Sequence, residues 1–246
     1  MNAWPNIKAI AKRELAAYFD SPVAYVFLVI FLLLTGVFTF TFGGFFDRAE
    51  ASLGSFFVWL PWLFLFLVPA VGMRMWAEER RGGTIELLLT MPVLPWHAIL
   101  GKFLASWVFL AIALALTFPV VLTVNLLGDP DNGIIAGGYI GALLLAGAYL
   151  AVTSMTSAMT RNQVVSFIIA VVLCLALILI GFTPVTDLLS RWFSTDLIDT
   201  VASFGVLTHY DGFQRGVLDS RGVLFFASVI VFALFVTAVL IRRRMG

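Results

Sequence analysis

Apolar residues run almost unbroken through six stretches of this chain, at roughly 23–45, 56–76, 99–127, 134–160, 164–183 and 223–241, and polar residues gather at the joints between them. Each stretch is about the 20 residues that a helix needs to cross a hydrocarbon core, so the pattern predicts six transmembrane helices. The first run is too long for the apolar part of a signal peptide and has no small-residue cleavage site after it, so it is expected to stay in the mature chain.

Three of the polar joints carry a helical rhythm of their own. Between Pro5 and Asp20, Ile7, Ile10, Ala11, Leu15 and Tyr18 recur on one face while Lys8, Lys12 and Arg13 fall outside it, which predicts an amphipathic helix lying on the membrane and ended by Ser21-Pro22. Glu14 projects into the apolar arc and needs either a cationic partner, such as an arginine of the next polar loop, or a path for snorkelling to water. In the long segment 184–222, Leu188, Leu189, Trp192, Phe193, Leu197, Ile198, Val201 and Phe204 recur at helical spacing, so short helices half sunk in the outer leaflet are expected, with Trp192 and Phe193 as interfacial anchors.

The third joint, from Ala77 to Lys102, organises the rest. Gly82-Gly83 break the helix that carries Glu78, Glu79, Arg80 and Arg81, with Glu79 expected on the solvated side of the break. A short helix then starts at Thr84 as N-cap, holds Glu86 in its first turn and stops before Pro92. Around its wheel Ile85, Leu87, Leu88, Leu89 and Met91 leave only Glu86 and Thr90 polar, so it must be buried, either under its own bundle or in a separate protein.

Composition narrows the class. The chain has 246 residues, of which 61% are hydrophobic and 12% charged, about half the charged share of soluble domains, and its mean hydropathy is +1.04. This is an all-α integral membrane protein. A net charge of +1 gives no basic surface for nucleic acid. Lysine and arginine are distributed by side: eleven, among them Arg74, Arg80, Arg81, Lys102 and Arg161, fall with both termini and the 77–102 joint, and four, Arg48, Arg191, Arg215 and Arg221, fall opposite. The positive-inside rule therefore places the termini and that joint in the cytoplasm.

No charge stands near the centre of a run, and Arg74 is close enough to an end to snorkel, which disfavours a carrier driven by protons or sodium. The polar groups inside the runs, Thr35, Thr39, Thr117, Thr123, Asn125, Thr153, Ser154, Thr156, Ser157 and Thr237, together with Gly137, Gly138, Gly141 and Gly147, suit close helix packing better than a substrate site. Cys174 is expected as a small lipid-side or packing residue. The only Gly-Lys pair, Gly101-Lys102, is followed by Phe103, so no phosphate-binding loop exists, and His97, His209 and Cys174 fall at three different depths, too far apart for one metal site. No catalytic residue and no cofactor are expected in this chain.

The order Glu78-Glu79-Arg80, then Gly83-Thr84-Ile85-Glu86-Leu87-Leu88-Leu89-Thr90-Met91-Pro92-Val93, then Gly101-Lys102, resembles the cytoplasmic loop of ABC-2 type transporter permeases. Arg13-Glu14 with Ser21-Pro22, and the turn Ser157-Ala158-Met159-Thr160 followed by Asn162-Gln163, are similar to two further features of that family, and the segment 209–221 resembles its gliding-motility-type branch. The resemblance implies one permease domain over 1–246, with an interfacial helix at 5–20, a coupling loop at 77–98 between transmembrane helices 2 and 3, and an external segment at 184–222. It implies that the coupling helix sits on an ABC ATPase subunit, which binds the ATP and Mg, with Glu78, Arg80, Arg81, Gly83, Thr84, Glu86, Leu88, Leu89 and Pro92 at that contact and Arg13 and Glu14 in the interfacial helix. The implied working unit has a second permease subunit and two ATPase chains in the cytoplasmic (inner) membrane of a bacterium, surrounded by lipid, and exports a substrate. The alternative it leaves open is a mechanotransmitting scaffold that moves a periplasmic auxiliary protein through 184–222 and transports no solute.

Overall fold

A computed structural model describes residues 3–46, 51–83 and 94–243, and every regular element among them is helical. α1 (Ala3–Phe19) is followed by α2 (Pro22–Val37), which starts with the Ser21 hydroxyl accepting the Val23 N–H and with proline at a position where no N–H is required. One π-helical turn, Phe38–Phe42, extends α2. Then come α3 (Gly54–Gly72), α4 (Arg74–Arg81), α5 (Pro95–Ala115), α6 (Phe118–Leu127), α7 (Asn132–Met159), α8 (Gln163–Ile180), α9 (Thr183–Leu189), α10 (Thr195–Ala202), α11 (Val206–Gln214) and α12 (Ser220–Arg243).

Six spans are long and apolar enough to cross a bilayer: Pro22–Phe42, Gly54–Arg81, Pro95–Leu127, Asn132–Met159, Gln163–Ile180 and Ser220–Arg242. They coincide with the six apolar runs, and the chain is a multi-pass, all-α membrane protein. The second span runs further than its apolar run because α4 carries the helix on through charged residues to Arg81. The third bends at Thr117, two residues before Pro119, whose ring cannot continue the α5 ladder.

α7 is the central post, buried along most of its length against α3, α5, α8, α11 and α12. Its glycines make that possible. A Cβ on Gly138 would stand 2.5 Å from the Phe57 ring and one on Gly141 2.5 Å from the Phe213 Cβ, so small residues are what lets α3 and α11 approach. The hydroxyls inside the spans serve packing: Thr39, Thr153 and Thr237 bond to carbonyls one turn back, and Thr117 meets the Tyr139 hydroxyl at 2.7 Å. Cys174 is fully buried in the core rather than on the lipid side.

At the other end, α9 and α10 hold Trp192, Phe193, Leu197 and Phe204 on or beside them, all exposed on the protein surface as anchors in an outer leaflet would be. α11 differs from them. Its Val206, Tyr210 and Phe213 are buried, and the Tyr210 hydroxyl donates to the Phe57 carbonyl at 3.3 Å. That burial pushes the Tyr210 phenol far up, so it stays a neutral donor.

Gly141→Val forces three carbons, a Cβ and its two methyls, into the α7–α11 contact, and overpacking of this kind costs about 1–3 kcal/mol. It is expected to lower the thermal unfolding midpoint in detergent. Gly36 of α2 has open space around its Cα, so Gly36→Ala is expected to hold or raise the midpoint in the same assay.

Candidate functional site

The site begins where α3 gives way to α4. Arg74 stands about 20 residues after Gly54, or about 30 Å along a helix, which is one hydrocarbon thickness. At this joint the Ser157 hydroxyl of α7 accepts from the Trp76 and Ala77 N–H groups, both at 3.0 Å, and donates to the Met73 carbonyl at 2.8 Å. One hydroxyl thus uses its donor and both lone pairs on main-chain groups. Ser154 accepts from the Trp76 indole at 3.0 Å, and Arg80 donates to the Ala158 carbonyl at the end of α7. α4 is bolted to α7 at three levels.

α1 lies along α5, and Gly101 allows it: a Cβ there would stand 2.7 Å from the Ile10 side chain. Tyr18 closes the far end of this contact. Its ring stacks on Phe109 at 5.1 Å, its hydroxyl meets Ser106 Oγ at 2.9 Å, and the Arg74 guanidinium lies over the ring, 5.4 Å from its centroid. Burial pushes the Tyr18 phenol up, and the Ser106 hydrogen bond and the Arg74 charge offset only part of that, so the group stays neutral and can donate.

Lys102 of α5 joins the two halves. Only 6% exposed, its ammonium is 2.8 Å from Glu79 of α4, 3.5 Å from Glu14 of α1 and 5.3 Å above the Trp76 ring. Glu14 is also held by its neighbour Arg13 at 2.8 Å. Between α1, α4 and α5 a cleft of about 320 Å³ remains, lined by Glu14, Tyr18, Arg74, Glu78, Lys102 and Ser106 among others.

The residues expected at the coupling contact divide as follows. Arg13 and Glu14 meet here, but the partner of Glu14 across the fold is Lys102 and not a loop arginine. Glu79 is not on a solvated side: it shares the α4 face of Trp76, three residues earlier, and lies one-fifth exposed against Lys102. Glu78 lines the cleft, Arg80 reaches α7 and Arg81 is exposed. Gly83, at φ +69°, ends α4 in a left-handed turn that a side chain would strain. Thr84, Glu86, Leu88, Leu89 and Pro92 lie outside the described residues. Lys102, Tyr18, Trp76 and Ser157 were not picked out as a cluster; the pairing of a lone acid on the apolar arc of α1 with the lysine of Gly101-Lys102 was the signal available.

A family model described as ABC-2 family transporter protein matches residues 49–241. The chain belongs to that family. It is therefore a transmembrane permease subunit of an ABC transporter, a family whose permeases work with an ABC ATPase. The match spans α3 to α12 and so includes the α4, α5 and α7 residues of the site, while Arg13, Glu14 and Tyr18 precede it. No curated protein matches the chain.

Removing the ammonium of Lys102 leaves two carboxylates facing each other. A fully buried pair costs about 3–5 kcal/mol to break, and since these acids are partly wet the expected cost of Lys102→Met is roughly 2 kcal/mol. Differential scanning fluorimetry of the permease in detergent should show that loss. Arg13→Gln, at an exposed pair worth about 0–1 kcal/mol, should leave the midpoint nearly unchanged.

Proposed function

We propose that this permease exports a substrate across the cytoplasmic membrane, driven by ATP hydrolysis in a separate ABC ATPase subunit whose stroke enters through the segment 84–93. The observation that supports the reading is the bolting of α4. The helix that leads into that segment is fixed to α7 through Ser157, Ser154 and Ala158 and to α1 and α5 through Lys102, so a displacement at its end is shared by four helices rather than absorbed in a loop. Glu86 orients the short apolar helix on the ATPase, and Arg80, Arg81 and Glu78 set the angle at which α4 meets it. ATP and Mg belong to the ATPase. One six-span chain supplies one wall of a pathway, so two permeases and two ATPases make the working unit.

The distribution of basic residues supports a cytoplasmic side for the site and both termini, and the family supports a bacterial inner membrane. Among the described residues the spans carry apolar outward faces and few polar ones, which suits a lipid-like, glycan or peptide cargo better than a small ion. A second reading, a mechanical scaffold acting on a periplasmic protein, draws on the exposed Trp192, Phe193, Leu197 and Phe204 around α10. ATP-dependent cargo movement in vesicles containing permease and ATPase alone separates the two.

Reporter fusions test the orientation: tags at Gly83 and Gly246 should be cytoplasmic and one at Asp131 periplasmic, and an external Gly246 would sink the assignment. Coupling is tested at Glu86. Loss of a dipole contact alone costs ~0.3–1 kcal/mol, whereas breaking a buried ion pair costs about 3–5 kcal/mol, so Glu86→Gln should lower ATPase binding or stimulation by well over tenfold while the permease still folds. Lys8→Gln, at an exposed position on α1, is the control. Wild-type stimulation by Glu86→Gln would mean that the 84–91 helix packs under its own bundle.

A further inference from the structure

The cleft between α1, α4 and α5 holds more charge than the bolt uses. Lys102 is committed to Glu14 and Glu79. Arg74 and Glu78 are not: neither makes an ion pair or a side-chain hydrogen bond among the described residues, although both line the cleft. The Arg74 guanidinium is half-buried over the Tyr18 ring, and among the described residues its planar fork of N–H donors has no protein acceptor. A half-buried fork of this kind is suited to bidentate contact with a phosphate. Glu78 is exposed four residues further along α4, about 6 Å along the axis. A cation and an anion that have no ion-pair partner among the described residues, one helical turn apart on the same face, are thus presented to a single cavity.

We infer that this cleft binds a phosphoethanolamine group, with the phosphate on Arg74 and the ammonium on Glu78, and that its source is the headgroup of a lipid in the adjoining leaflet. Two observations select this chemistry. A purely anionic headgroup would meet the Glu78 carboxylate with nothing to offer it, and a choline headgroup would bring a cation that has no N–H to donate. The volume of about 320 Å³ accepts a headgroup but not a folded peptide, and Ala17 and Met75 give it an apolar wall for the connecting carbons. The depth fits as well, since Arg74 stands one hydrocarbon thickness from the start of α3. The inference concerns what fills the cleft and not what moves α4; Glu78 serves both readings, and lipid binding is read without the ATPase.

The test uses the full chain in a neutral detergent, stripped of lipid and titrated with phosphatidylethanolamine, phosphatidylglycerol or phosphatidylcholine of matched acyl chains, with bound lipid counted by native mass spectrometry. Wild-type protein is expected to prefer phosphatidylethanolamine over both others by about tenfold, the order of one charge-assisted hydrogen bond. Arg74→Gln should weaken retention of phosphatidylethanolamine by a similar factor. Glu78→Gln, at an exposed position that folding does not depend on, should leave phosphatidylethanolamine and phosphatidylglycerol bound equally, and so decides the matter even if the arginine variant is unstable. Soluble phosphoethanolamine separates the two sources: weak displacement at high concentration supports the lipid, whereas binding as tight as that of the lipid overturns the lipid source. Equal binding of the three lipids by the wild type, or undiminished preference in Glu78→Gln, overturns the assignment.

Discussion

Main-chain polar groups at the edge of a bilayer must find partners within the protein, and the joint between α3 and α4 is where this one is most at risk of failing to. Where the helix breaks at Met73 and restarts at Arg74, first-turn N–H groups turn to a side-chain acceptor. The Ser157 hydroxyl supplies the missing acceptor twice and returns its own proton to the Met73 carbonyl. Because Ser157 belongs to the most buried helix of the bundle, the repair also fixes the direction in which α4 leaves the membrane. The positions of Trp76, Glu79 and Arg80 follow from it.

Charge is handled by the same economy of partners. Lys102 is nearly inaccessible, a placement that an ammonium tolerates only when paired, and it is paired with one acid from α1 and one from α4. Such an arrangement adds little net stability over an apolar one but sets a unique geometry, since no other cation among the described residues reaches both acids. The aromatic faces of Trp76 and Tyr18 take up Lys102 and Arg74 from the apolar side. Two cations are thereby held at headgroup depth in one orientation each.

The spans were legible because hydropathy is additive along the chain and needs no knowledge of neighbours. The amphipathic face of α1 and the stop at Gly82-Gly83 were legible for the same local reason, and Gly83 has the left-handed φ that such a stop requires. What could not be read depends on contacts far apart in sequence. Glu14 and Lys102 are 88 residues apart, and Tyr18 and Ser106 likewise. Glu79 was misplaced because the glycine break drew attention to the polar run rather than to Trp76, whose burial decides which side of α4 faces the bundle. The burial of α11 is not legible locally, because it depends on Gly137 and Gly141 of α7 standing opposite Tyr210 and Phe213.

The packing of α1 against α5 has a consequence for how the protein is made. α1 leaves the ribosome before α5, and Gly101, Lys102 and Ser106, which receive it, are synthesised about 88 residues later, roughly 4–18 seconds at ordinary rates of elongation. During that interval α1 has no α5 to pack on, and Glu14 has only its neighbour Arg13 as a partner. Docking of α1 must therefore await the third span, so the first helix of the chain is among the late pieces of the fold to settle.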